Sequence, residues 1–87
     1  MKIKDGFILR EVAGSFVVVA VGKRATEFNG VINLNETSAF MWRMLEKGAT
    51  TEEIVTEMSK EYDAPIDVLE RDVKSFTQKL KEAGLAE

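Results

Sequence analysis

The chain contains no histidine and no cysteine. That removes the base that titrates near neutral pH and the thiolate nucleophile. What remains for chemistry is carboxylates, hydroxyls and the backbone itself. Glu52, Glu53, Glu57 and Glu61 recur along one segment, and two of them could pair as general acid and base. Their spacing is that of a solvated helix face, which is the better account. Ser15, Ser38, Ser59 and Ser75 have no sequence-local base and no nucleophile-elbow glycines, so serine catalysis lacks support. No spaced Asp/Asn loop with a central glycine offers a site for a hard cation. Disulfides and thiolate metal sites are excluded outright. The expectation is therefore no catalytic residue, no cofactor and no metal.

The elements that carry these residues divide the chain in two. Its first third is β-like. Phe7 to Val12 is a candidate strand ending at Ala13-Gly14, a turn signal. Ser15 to Val21 is dominated by β-branched residues, which suit a pleated surface. So short a link predicts an antiparallel hairpin. Gly22-Lys23-Arg24-Ala25-Thr26 reads as a polar loop. A third strand follows near Asn29 to Leu34, with Gly30 as a bulge or a point of close approach.

The remainder is helical. Asn35 is a good N-cap, and Glu36 suits the positive end of the helix dipole. Thr37, Phe40, Met41, Met44 and Leu45 form one apolar face, and Gly48 ends the helix. Trp42 sits off that stripe; it is read as part of a wide core-facing stripe rather than as a surface anchor. Thr50 and Glu53 form a capping box for a second helix, with Ile54, Val55, Met58 and Tyr62 as its buried stripe. Pro65 marks the start of a third helix. There Ile66, Leu69, Val73, Phe76, Leu80 and Ala83 recur at three and four residues along one line, and Gly84-Leu85 offers a Schellman-type close. Phe76 and Leu80 could fill the core or line a groove.

The order predicts a single α+β domain over 1–87 of winged-helix-like character, a three-stranded antiparallel sheet followed by three helices that cover one sheet face. The 87 residues, 45% of them hydrophobic, suffice for one thin core. Phe16 to Val21 is the longest apolar run and is far short of a membrane span. Residues 1–12 do not resemble a signal peptide. The absence of cysteine fits a reducing cytoplasm. A net charge of −3 makes nucleic acid a poor partner, because phosphate neutralisation supplies most of that affinity.

One constellation remains. A three-stranded sheet has two edges, each a row of unpaired N–H and C=O groups. The stretch Gly30-Val31-Ile32-Asn33-Leu34 carries no charge and no proline to blunt it. Either this strand is covered by the fold, or it accepts a peptide by β-augmentation, with main-chain bonds giving affinity and a side pocket giving specificity.

The residues that carry these features resemble the PqqD family. The run Phe28 to Thr37, then Ala39-Phe40-Met41-Trp42, Leu45-Glu46, Gly48, Thr50 and Glu52-Glu53-Ile54 carries the resemblance. It continues through Tyr62-Asp63, Asp72-Val73, Phe76, Leu80 and Gly84-Leu85, and includes the opening Leu9 to Val12. The family's fold is also called the RiPP recognition element. The resemblance implies a non-catalytic chaperone that binds the leader of a ribosomally made precursor peptide and presents it to a modifying enzyme, often a radical S-adenosylmethionine protein. It implies that the leader adds as a strand beside Gly30, Val31, Ile32, Asn33 and Leu34. The wall of its groove would be drawn from Asp72, Val73, Phe76, Thr77 and Leu80. Two other readings stay open: a winged-helix DNA-binding regulator using Lys74, Lys79 and Lys81, and a structural module whose free edge pairs with a second copy. The chain is expected to work as a monomer or dimer.

Overall fold

β1 (Phe7–Val12) and β2 (Ser15–Ala20) form the expected hairpin, in register from Phe7 opposite Ala20 to Val12 opposite Ser15. These elements come from a computed structural model describing residues 1–28 and 30–87. Asn29, the expected start of the third strand, lies outside the described residues. β3 is Val31–Leu34 and pairs antiparallel with β2, Phe16 opposite Leu34 and Val19 opposite Val31. The sheet order is β1-β2-β3, so β2 is central and β1 and β3 are the edges.

Side chains alternate across the sheet. Phe7, Leu9, Val18, Ala20, Ile32 and Leu34 face the core. Ile8, Val17, Val19 and Val31 take the other face.

The segment read as a polar loop contains a single helical turn, α1 (Arg24–Glu27), between β2 and β3. One turn is too short to show a period of 3.6. It is held by side chains instead. Arg24 Nε donates to the Asp5 carbonyl at 3.0 Å, and its guanidinium pairs with Glu27 at 3.1 Å. The guanidinium also sits 5.5 Å from the ring centroid of Phe7, whose edge meets Phe28. Gly6 allows this approach. A Cβ there would fall on the Arg24 side chain, and its φ of +92° disfavours any other residue.

The three longer helices follow as expected. α2 (Glu36–Lys47) is capped by Asn35, whose side chain accepts from the Ser38 N–H at 2.8 Å. α3 (Thr51–Glu61) opens on a full capping box: the Glu53 N–H donates to Thr50 Oγ1 at 3.1 Å, and the Thr50 N–H donates to Glu53 Oε1 at 2.9 Å. α4 (Ile66–Glu82) starts directly after Pro65. It closes with the Leu85 N–H donating to the Leu80 carbonyl at 2.8 Å, the long bond of a Schellman motif.

Trp42 lies at the centre of the core, fully buried with Val18, Leu45, Ile54, Met58, Val73 and Leu85. Its burial agrees with the wide core-facing stripe. A β-bridge between Ile3 and Ala86, with Lys4 N–H donating to the Leu85 carbonyl, ties the first residues to the last. Among the described residues no helix is long and apolar enough to cross a membrane.

The stripe of α4 is narrower than its sequence period implies. Leu69, Val73, Thr77 and Leu80 are buried, whereas Ile66 is 51% exposed and Phe76 only partly buried. A helix turns about 100° per residue, so a line of threes and fours drifts around it. Ile66 ends on the flank toward α3. Phe76 and Ala83 end on the opposite flank, and that flank forms the site.

Candidate peptide cleft

The open edge of β3 runs beside α4. The two elements leave a cavity of about 310 Å³, walled by Ile32, Asn33 and Leu34 on the strand and by Phe76, Lys79, Leu80 and Ala83 on the helix, with Ser38 of α2 at one side. A second hollow of about 280 Å³ continues it past the strand's end. There Asn35, Thr37, Ser38 and Met41 face Asp72, Ser75, Phe76 and Lys79. Ser38, Phe76 and Lys79 border both, so the two form one trough. Its lining also sets direction: Ile32 lies at the Ala83 end and Asn35 at the Asp72 end, so β3 and α4 run antiparallel.

The strand side is built for pairing. β3 is hydrogen-bonded to β2 on one side only. In an antiparallel ladder the N–H and C=O of alternate residues point to opposite sides, so two of its four residues direct their backbone polar groups outward. Val31 is 56% exposed and Asn33 is exposed, while Ile32 and Leu34 are half-buried toward the cavity. Nothing on the strand is charged. The other edge differs: β1 carries adjacent Arg10 and Glu11, a common guard against unwanted pairing. Gly30 is exposed and precedes the strand with φ +95°. A Cβ there would meet nothing within 4 Å, so Gly30 serves the bend into β3 and is not a point of close approach.

The helix side separates the expected residues into two sets. Asp72, Phe76 and Leu80 border the trough. Val73 at 0% exposure and Thr77 at 6% point into the core behind it. Lys79, Ser75, Ala83 and Ser38 border the trough and were absent from the expected set. The signal for two of them was present in the sequence: Lys79 three residues after Phe76 and Ala83 seven after it share its flank on a helical projection, whereas Ser75 is turned about 100° from it. On a helical projection Asp72, Phe76, Lys79 and Ala83 fall within roughly 60° of one another. Ser38 comes from a different helix and had no such signal.

The trough holds no acid–base pair. Among the described residues, the ion pairs are Arg24–Glu27 and Lys60–Glu57, both outside it. No cluster of three or more His, Cys, Asp or Glu that could hold a metal occurs among the described residues. Outside the trough, Tyr62 packs edge-on against Phe40. Burial, then Glu36 and Glu61, raises its phenol above the usual value of 10.0. A larger hollow of about 380 Å³ lies between α3 and α4, walled by Glu52, Ser59, Ile66, Glu70 and Lys74 among others. It adjoins no strand edge, so it offers no backbone for pairing.

Solved structures share this fold. The solved structure of TbiB1 in complex with the TbiA(beta) leader peptide is 26% identical and matches with a TM-score of 0.80, covering 100% of this chain and 95% of that one. Lasso peptide synthetase B1 complexed with the leader peptide is 21% identical, with a TM-score of 0.79 over 99% of this chain and 95% of that one; the likeness there is one of fold. No curated protein matches the chain. The model of the family described as coenzyme PQQ synthesis protein D (PqqD) matches residues 15–86. With that match over most of its length, the chain belongs to the PqqD family.

Proposed function

We propose that this chain is a non-catalytic adaptor that binds the leader of a ribosomally made precursor peptide and presents it to a modifying enzyme. The leader adds as a strand along Gly30, Val31, Ile32, Asn33 and Leu34. Its alternate side chains enter the trough against Asp72, Phe76 and Leu80, while Val73 and Thr77 hold that wall from behind. The observation that carries this reading is the uncharged, singly paired edge of β3 opening directly into a cleft with an apolar floor. Strand addition needs both parts: main-chain groups for affinity and pockets for alternate side chains. The two solved proteins of the same fold, each complexed with a leader peptide, support it. The modifying enzyme, for which a radical S-adenosylmethionine protein is one candidate, is a further part of the proposal.

A DNA-binding role for α4 is disfavoured. Its lysines alternate with Glu70, Asp72 and Glu82, and the chain is acidic overall. Titrating the isotope-labelled chain with a leader peptide tests the proposal. Amide shifts are expected in β3 and along the Asp72–Ala83 flank of α4. Shifts confined to α3, or to the β1 edge, refute it.

A further inference from the structure

The trough carries one charge of each sign, well separated. Asp72 borders the hollow at the Asn35 end, and Lys79 borders both hollows, sharing the first with Ile32 and Leu34. Both side chains are exposed. Among the described residues neither forms an ion pair or a side-chain hydrogen bond within the fold. Among the described residues Arg71, Lys74 and Lys81 of the same helix are likewise unpaired, but none of these three borders the trough. Gln78 is bonded to Glu82 at 3.0 Å, Lys60 to Glu57 and Arg24 to Glu27, so local pairing is available to this sequence where the spacing allows it. Asp72 and Lys79 are seven residues apart, about 10 Å along the helix axis, too far to satisfy each other. Between them at the floor lies Phe76, with Leu80 just beyond Lys79.

We infer that Asp72 and Lys79 select the charge order of a strand that enters the trough antiparallel to β3, the orientation of both pairs already in the sheet. The preferred peptide carries a basic residue at the Asp72 end, an acidic residue at the Lys79 end, and an apolar side chain lodged between Phe76, Leu80, Ile32 and Leu34. A strand antiparallel to β3 runs from the Asn35 end toward Val31, hence from Asp72 toward Lys79. Its order in the N-to-C direction is therefore base before acid. Strand residues on one face recur every 6–7 Å or so, and the long side chains of Lys, Arg and Glu span the remainder. The two charges thus fall about two to four residues apart. In the same antiparallel orientation a peptide with the opposite order puts like charges together at both ends, which costs affinity and gives specificity by repulsion as well as attraction. Main-chain pairing alone is blind to this difference, because backbone groups are the same in every peptide.

The inference rests on strand addition at β3, and its test separates the two ideas. A displayed random peptide library is selected on the wild-type chain, on Lys79→Glu, and on the double swap Asp72→Lys, Lys79→Asp. The substituted positions are exposed, and unchanged thermal unfolding verifies that each form is folded. Wild type is expected to enrich peptides with a base before an acid around an apolar residue. Exchanging the acid for lysine in one such synthetic peptide should weaken binding about fivefold to wild type and strengthen it to Lys79→Glu. The double swap should enrich the reversed order. If β3 amides shift with the selected peptides but all three forms enrich the same charge pattern, strand addition stands and charge selection is overturned. If no selected peptide moves β3 amides, both are overturned.

Discussion

Proline placed at two adjacent positions of β3 should have opposite consequences. Ile32 stands opposite Val18 and Asn33 opposite Val17. In a regular antiparallel ladder one of these two N–H groups points at β2 and the other at the open edge. Proline on the β2 side removes a ladder bond worth about 1 kcal/mol and strands a carbonyl at a cost of about 1–3 kcal/mol, for a total near 2–4 kcal/mol. The whole domain, at 87 residues, has about 4–13 kcal/mol to lose, so that variant is marginal or unfolded. Proline on the open side leaves the ladder intact but removes a donor from the incoming strand and sets a ring in its path. Leader affinity should then fall about fivefold or more. Trp42 is the sole tryptophan and is fully buried, so its fluorescence in a denaturant series reports the fold of Ile32→Pro and Asn33→Pro directly. Anisotropy of a labelled leader reports binding. One variant should lose the fold, and the other should keep it and lose the peptide. A folded proline variant that binds leader with wild-type affinity at both positions would end the strand-addition argument.

Gly6→Ala and Gly30→Ala share a backbone cost, since their φ values are +92° and +95°, but only the first places a methyl on the Arg24 side chain. Gly6→Ala should therefore cost about 1–2 kcal/mol more than Gly30→Ala in urea midpoints; equal costs would mean that Arg24 is not a structural bracket. Thr50→Ala removes the acceptor for the Glu53 N–H and should destabilise the chain by about 1 kcal/mol without changing leader affinity. The sole tyrosine, Tyr62, is held protonated above its usual 10.0 by burial first and by Glu36 and Glu61 second. The unfolded chain releases this proton earlier than the folded one, so the contribution is complete below pH 10 and is lost as pH rises beyond it. Phenolate absorbance should rise with a midpoint above 10, and Glu36→Gln should lower that midpoint; no movement would remove Glu36 as a cause.

The helices were legible because their signals are local. Asn35, Thr50 with Glu53, Pro65 and Gly84-Leu85 each act within a few residues, and each is used as its chemistry predicts. The strands were legible for a related reason: β-branched runs broken by Ala13-Gly14 leave little else to form. α1 escaped notice because its stability comes from Arg24 reaching Asp5 and Phe7, residues some nineteen and seventeen positions away in sequence. A composition-based reading of Gly22 to Thr26 contains no trace of those contacts.

For the site, the strand half could be proposed from residues alone, since an uncharged β3 is visible in the letters. Which residues of α4 face it could not. Apolar spacing of threes and fours marks a helix face only to within the drift of that pattern, and it groups Val73 with Phe76 although one is sealed in the core and the other borders the trough. Local chemistry, written in neighbours along the chain, therefore determined the elements, their caps and the unguarded edge. That the flank of Phe76 and Lys79 meets β3 and Ser38, and that Thr77 lies in the core, was decided only when α4 was laid antiparallel to β3. That packing depends on how the buried volumes of Trp42, Leu45 and Val73 fit together, a property of the assembled core and not of any segment within it.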